Sequence, residues 1–165
     1  VADHVDASLT RGGLRVRRGF SLIEIMVVVV VLGVLAAIVL PRFAGVTRQA
    51  EAAALQADLG AVRSAIQNHR TRAVLAGEAP YPAINTIPDL VSGGVPSNPY
   101  TGASGVQFVT RVQAEIRSVI NPQAFGWNYF VDNQSDPPIA IFYANCEDPT
   151  NVLDASGSVL NANQL

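Results

Sequence analysis

The chain has 165 residues, enough for one modest domain, and a formal net charge of −2. That balance excludes a strong electrostatic drive toward nucleic acid, and a lone cysteine, Cys146, excludes an internal disulfide framework. Apolar residues make up 49% of the chain, many of them in one run near the N-terminus, and 13 Gly and 10 Pro favour turns and loops elsewhere.

Residues 1–19 are basic. Arg11, Arg15, Arg17 and Arg18 stand against Asp3 and Asp6, for a balance of +2, so everything after Gly19 carries −4. Phe20 to Leu40 follows as an almost unbroken Val/Leu/Ile/Ala run whose only charged residue is Glu24. At about 1.5 Å per residue a helix over this run is about 31 Å long, the thickness of a hydrocarbon core. The arginines ahead of it put the N-terminal side in the cytoplasm and the rest of the chain outside.

A secretory signal orders its parts as basic, apolar and then a small-residue cleavage site. The stretch Leu35–Ala37 has such small residues, but the helical pattern runs straight through it. Cleavage before the run, between Gly19 and Phe20, would instead discard the basic leader and keep the anchor. Phe20 would then carry a new amine. A lone carboxylate inside a membrane costs about 2.5–3.5 kcal/mol even on the lenient insertion scale. Glu24 lies one helical turn from Phe20, so it can pair with the Phe20 amine of a neighbouring copy when chains pack side by side. Such pairing offsets part of the desolvation cost.

Pro41 is expected to kink the helix rather than end it. Beyond it Leu55, Leu59, Val62, Ile66, His69 and Ala73 form one stripe at helical spacing, ready to receive a sheet or a neighbouring subunit. Arg48, Glu51, Asp58, Arg63, Arg70 and Arg72 lie mostly off that stripe. Gly77, with Pro80 and Pro82 behind it, ends the helix. Residues 79–105 read as loop, with a short helical turn near 87–92. Strands are expected at Val106–Val112, Gly126–Val131 and Ile139–Tyr143. Residues 114–120 either extend the first strand or form a short helix. The tail from Asp148 reads as polar and poorly ordered, apart from a strand near 158–160. The expected architecture is α+β: a long N-terminal helix packed on a small antiparallel sheet.

"RGFSLIEIMVVVVVLGVLAAIVLPRF" resembles the class III signal and N-terminal helix of type IV pilins and type II secretion pseudopilins, through Gly19, Phe20, Glu24 and Pro41. "GEAPYPAINTIPDLVSGGVPSNPYTG" (Gly77 to Gly102) and "GWNYFV" (Gly126 to Val131) extend the likeness more loosely toward pseudopilins. The resemblance implies a pilin-like roll. It implies a leader, residues 1–19, removed after Gly19 by a prepilin peptidase that methylates the Phe20 amine. It further implies an assembly helix at 20–40, an amphipathic continuation at 41–77 and an extracytoplasmic domain at 78–165. In that family the acid at Glu24 guides insertion into a growing filament. The implied partners are other pilin-like subunits and an inner-membrane assembly platform, in a bacterial inner membrane.

Two branches stay open. A pseudopilin forms a short periplasmic filament for protein export, whereas a type IV pilin forms a surface fibre. The single cysteine and the proline-rich middle favour the pseudopilin. A different class, a single-pass anchored domain kept uncleaved, accounts for the anchor but not for the combination of Gly19, Phe20 and Glu24.

Catalytic chemistry has little to work with. His4 would leave with the leader, and His69 lies on the packing stripe. No phosphate loop, Cys/His metal spacing or serine elbow appears. Cofactors are therefore not expected, with calcium the one candidate. Asp132–Asp136 alternates oxygen-bearing residues but lacks the glycine and distal Glu of a calcium loop. Glu147, Asp148 and Asp154, in the C-terminal loops where the resemblance places calcium in some pseudopilins, form the better set. Asn133-Gln134-Ser135 matches a glycosylation sequon.

Overall fold

The computed structural model describes residues 19–165, in two compact units, one ending at Pro41 and the other spanning Arg42–Leu165. Helix α1 (Leu22–Ala76) contributes to both. The leader up to Arg18, with His4 and its arginines, lies outside the described residues, as does the side chain of Pro41, where a kink was expected.

In the first unit the helix begins after Ser21, whose carbonyl accepts from the amides of Glu24 (3.0 Å) and Ile25 (3.3 Å). In the second unit the stripe packs as expected. Ala52, Leu55, Leu59, Val62, Ile66 and Ala73 are buried, while His69 is only partly covered. The helix stops at Gly77, which takes the left-handed conformation (φ 74°). The Gly77 amide donates to the Val74 carbonyl (3.2 Å) and the Glu78 amide to that of Ala73 (2.9 Å), a Schellman closure that satisfies the last turn.

Short helical turns follow at Ile84–Thr86 and α2 (Ile87–Leu90), where a turn was expected. The sheet then forms from β1 (Gly105–Phe108), β2 (Phe125–Asp132) and β3 (Ile139–Ala144), in the order β1-β2-β3. β2 and β3 are antiparallel, with Tyr129 opposite Phe142 and Trp127 opposite Ala144. β1 departs from the expected antiparallel sheet: it pairs parallel with β2, Val106 opposite Trp127. A parallel pair needs a crossover. Residues 109–124 supply it through α3 (Arg111–Glu115).

That crossover explains why the first strand is shorter than the expected Val106–Val112. Thr110 caps α3, accepting from the Gln113 amide, and the Gln113 side chain accepts from the Thr110 amide (2.9 Å). This capping box fixes a helix start inside an apolar, β-branched run.

Alternation along β2 divides the core. Trp127 and Tyr129 face α1, where they join Phe142, Leu55, Leu59, Val62 and Ile66. Phe130 faces the other way and packs with Tyr143, Val109 and Ala114. The Trp127 and Phe142 rings stack at 5.5 Å. Asn128 and Asn145 are also fully buried on the second side. There Asn128 Nδ2 donates to Ser118 O (3.0 Å) and to Asn145 Oδ1 (3.0 Å), and Asn145 Nδ2 donates to Phe125 O (2.8 Å) and Ile120 O (2.6 Å). Buried amides so paired avoid the cost of lost hydration and tie the crossover to the sheet.

The proline-rich stretch is held by its own carbonyls. Trp127 Nε1 donates to Pro96 O (2.7 Å) and Tyr129 Oη to Pro82 O (3.0 Å), while Asn133 brackets the backbone of Tyr81 through both amide atoms. The sequon asparagine is thus already engaged, its Nδ2 donating to Tyr81 O (2.9 Å).

The tail corrects the expectation of poor order. β4 (Pro149–Leu153) and β5 (Val159–Asn161) form an antiparallel hairpin, followed by a 3₁₀ turn at Ala162–Gln164. The polarity of the segment hid this, because its hydrogen-bonding side chains close the turn instead of marking disorder.

Candidate functional site

The site defined by the sequence is the N-terminal end of α1. Every described side chain from Phe20 to Leu40 is exposed, and Phe20 and Leu22 are each 78% exposed. The helix is long and apolar enough to cross a membrane, and none of its most apolar window is buried within the chain. A helix apolar on all sides has no face to offer water, so it needs lipid or other helices around it.

Glu24 sits in the first turn of this helix, where a negative charge meets the positive end of the helix dipole. It is exposed and makes no ion pair among the described residues. Its charge is therefore open to a partner from outside the chain. Gly19 has open space around it, since an added Cβ would meet nothing within 4 Å. Among the described residues nothing requires a glycine there.

The calcium candidates stand differently. Glu147 and Asp148 are exposed, and the Asp148 carbonyl accepts from the Ala162 amide (2.9 Å). Asp154 Oδ1 accepts from Ser156 N (2.8 Å), Ser156 Oγ (2.6 Å) and Ser158 N (2.9 Å). The Ser156 hydroxyl and then the Ser158 amide hold this carboxyl below its ordinary range. Among the described residues no group of three or more His, Cys, Asp or Glu side chains is gathered as a metal would need. Asp132 likewise closes its own loop, its Oδ1 accepting from the amides of Gln134 (2.9 Å) and Ser135 (3.1 Å).

Cys146 is buried against Asn98, whose Nδ2 approaches the sulfur at 3.5 Å, and burial raises the thiol pKa. It is a packing residue rather than a reactive one. Sequence reasoning passed over Arg63, placing it among the charges mostly off the stripe. It reaches the sheet, donating from Nε and Nη2 to Phe142 O (3.2 and 2.9 Å) and from Nη1 to Leu165 O (2.9 Å). Its position next to the buried Val62 was the available signal.

An exposed apolar helix with one acid in its first turn thus precedes an α+β unit. The family model described as "Prokaryotic N-terminal methylation motif" matches residues 14–40. The chain is 50% identical over 48 residues to the type IV narrow pilus major component PilA5 of Thermus thermophilus, 29% of this chain and 41% of that protein. It is 43% identical over 54 residues to the type II secretion system core protein G of Klebsiella pneumoniae, 33% of this chain and 39% of that protein. The match thus spans about two fifths of the length of these curated relatives. A longer match, 26% identical over 127 residues, joins 68% of the chain to 81% of the type IV major fimbrial protein FimA of Dichelobacter nodosus. No solved structure matches. Over its N-terminal part the chain is thus similar to type IV pilins and to type II secretion core proteins G.

Proposed function

We propose that the protein is a structural filament subunit, stored in the bacterial inner membrane through Phe20–Leu40 and assembled by packing that helix against copies of itself or of other pilin-like subunits. The observation that carries this reading is an all-round exposed apolar helix whose only charge, Glu24, has no partner among the described residues. A helix used only as an anchor gains nothing from that acid, whereas a bundled helix gains a register mark. Cleavage after Gly19 by a prepilin peptidase frees the Phe20 amine. Only one axial offset between neighbours brings that amine to Glu24. The pair adds little net stability, because desolvation offsets most of the attraction. Its contribution is specificity of offset. The leader stays cytoplasmic before cleavage, and Arg42–Leu165 stands outside the cytoplasm.

Within the family we favour the type II secretion pseudopilus. Cys146 is a free buried thiol, so no disulfide closes the C-terminal loop as in many major pilins. The longer match to a fimbrial protein favours the second reading, a type IV pilus. Deletion of the gene separates them: loss of protein export supports the first, and loss of surface fibres with export intact supports the second.

Filament yield at equal levels of mature protein tests the assembly reading. Glu24→Gln keeps shape and removes charge, so processing and folding are expected to survive while filament yield falls sharply. Glu24→Leu removes the insertion penalty and should enter the membrane at least as well. Normal yield from Glu24→Leu would overturn the pairing.

A further inference from the structure

The second unit buries its helix stripe, yet it leaves apolar groups in the open elsewhere. One is the end of α1. Val74 and Leu75 are exposed, Leu75 at 84%, beside a shallow groove of about 330 Å³ lined also by Gln67, Arg70 and Thr71. Another is the β4–β5 hairpin, where Leu153 lies opposite Val159 and both are exposed. Asp154 braces the turn between them through its carboxylate, and its amide donates to Ser158 O (2.9 Å), so the apolar pair is carried on a preorganised tip. A third group, Phe108, Val112 and Ile116, is exposed around the crossover, but the charges beside it already pair with each other, Arg111 with Glu115.

Two anchor points put the first two groups at opposite ends of the unit. Asn133, just past β2, holds the backbone of Tyr81, whose ring lies 5.2 Å from the Arg70 guanidinium of α1. β3 starts beside that end of β2, with Ile139 opposite Asp132, and at Phe142 it is bonded to Arg63. It therefore runs from the Arg70 level of α1 toward lower-numbered turns. The chain leaves it through Cys146, packed in the same core as Leu55, and enters the hairpin at Pro149. Leu55 and Leu75 are about 30 Å apart along the helix.

The charges around the two ends differ in sign. From His69 to Glu78 the exposed Arg70 and Arg72 outnumber the exposed Glu78. From Cys146 to Leu165 the exposed Glu147, Asp148 and Asp154 stand with no Arg, Lys or His among them. An apolar surface with a basic rim fits one with an acidic rim, and like rims repel. The contact between copies is therefore heterologous, and with its halves at opposite ends repetition extends a line of copies instead of closing a pair.

We propose that the β4–β5 tip of one copy docks on the Arg70–Leu75 end of α1 of the next. The occupant is a second copy because the chain carries both complementary halves. The inference rests on the filament reading and names a contact between second units that this reading leaves open.

The test uses full-length chains in cells that assemble filaments. Leu75→Cys and Leu153→Cys are co-expressed as two singly substituted chains and oxidised with copper phenanthroline. A cross-linked dimer is expected from the mixture and none from either chain alone, since the native Cys146 is buried. Both substitutions in one chain should give a ladder of multimers. Arg72→Glu sets like charges at the contact. It should lower cross-linking and filament yield at least about tenfold, while the detergent-solubilised chain melts as the parent does. Filaments without the mixed dimer, an equal dimer from Leu75→Cys alone, or full yield from Arg72→Glu would overturn this contact and leave the filament reading standing. A parent chain that forms no filaments would overturn both.

Discussion

The two units draw on the same apolar residue types and use them in opposite ways. Between Leu22 and Leu40 the Val, Leu and Ile side chains point in every direction and all stay exposed; between Ala52 and Ala73 they follow one stripe and are buried against aromatic strands. The number of apolar residues does not separate the two. Their angular spread does: a narrow stripe can be covered by one sheet, whereas an all-round surface cannot be covered by anything the chain itself supplies. The first unit leaves its apolar surface exposed, and the second buries its own stripe.

The largest expected contrast compares a substitution in each unit of the detergent-solubilised chain. Trp127 is fully buried, stacks on Phe142 and donates to Pro96 O. Trp127→Ala should cost about 3–5 kcal/mol of unfolding free energy. Val30→Ala, on the exposed helix, should change the same melting transition by less than about 0.5 kcal/mol. A comparable loss from Val30→Ala would end the distinction between the units.

Gly126 sharpens it. An alanine Cβ at this position would lie 1.9 Å from the Ala103 carbonyl oxygen, a backbone atom that cannot swing aside. Gly126→Ala should cost about 3 kcal/mol, the upper end for forcing a methyl into a packed site. Gly33→Ala, in open space on the apolar helix, should leave the melting transition unmoved. Equal melting temperatures for the two variants would show that Ala103 yields.

The smallest effect is a pH dependence. Burial raises the phenol pKa of Tyr129, and that of Tyr143, above the ordinary 10.0. Folding therefore favours the protonated phenols. Their contribution is whole below pH 10 and is lost as pH climbs from there through the raised folded values. Residues 20–40 contain no tyrosine, so helix content from the first unit should persist while near-ultraviolet circular dichroism of the second collapses. A near-ultraviolet signal unchanged well above pH 10 would contradict the burial of these rings.

How much was legible follows from the range of each interaction. The apolar helix, the stripe from Leu55 to Ala73 and the stop at Gly77 were readable, because helical periodicity and capping are properties of neighbouring residues. The strands β2 and β3 were readable from aromatic and β-branched content. The crossover was less so: "TRVQAE" (Thr110 to Glu115) carries a capping box, yet its apolar, β-branched approach reads as continuing strand. Polar residues hid two features. Asn128 and Asn145 would face water in a one-layer sheet, but α3 and residues 116–121 cover that face and engage them. The tail looked loose, but Asp154 closes a hairpin turn.

The sequence by itself determined that the chain carries a helix long and apolar enough to span a membrane, with a single acid, and that a second helical segment would receive a sheet. Those conclusions need only the order and period of residue types. The tertiary structure alone decided the parallel partner of β1, the burial of the asparagines and the reach of Arg63 to the sheet. Each depends on residues far apart in the chain. Arg63 meets the main-chain oxygens of Phe142 and Leu165 because the sheet lays β3 beside α1, and no local pattern encodes which distant oxygen a guanidinium will reach.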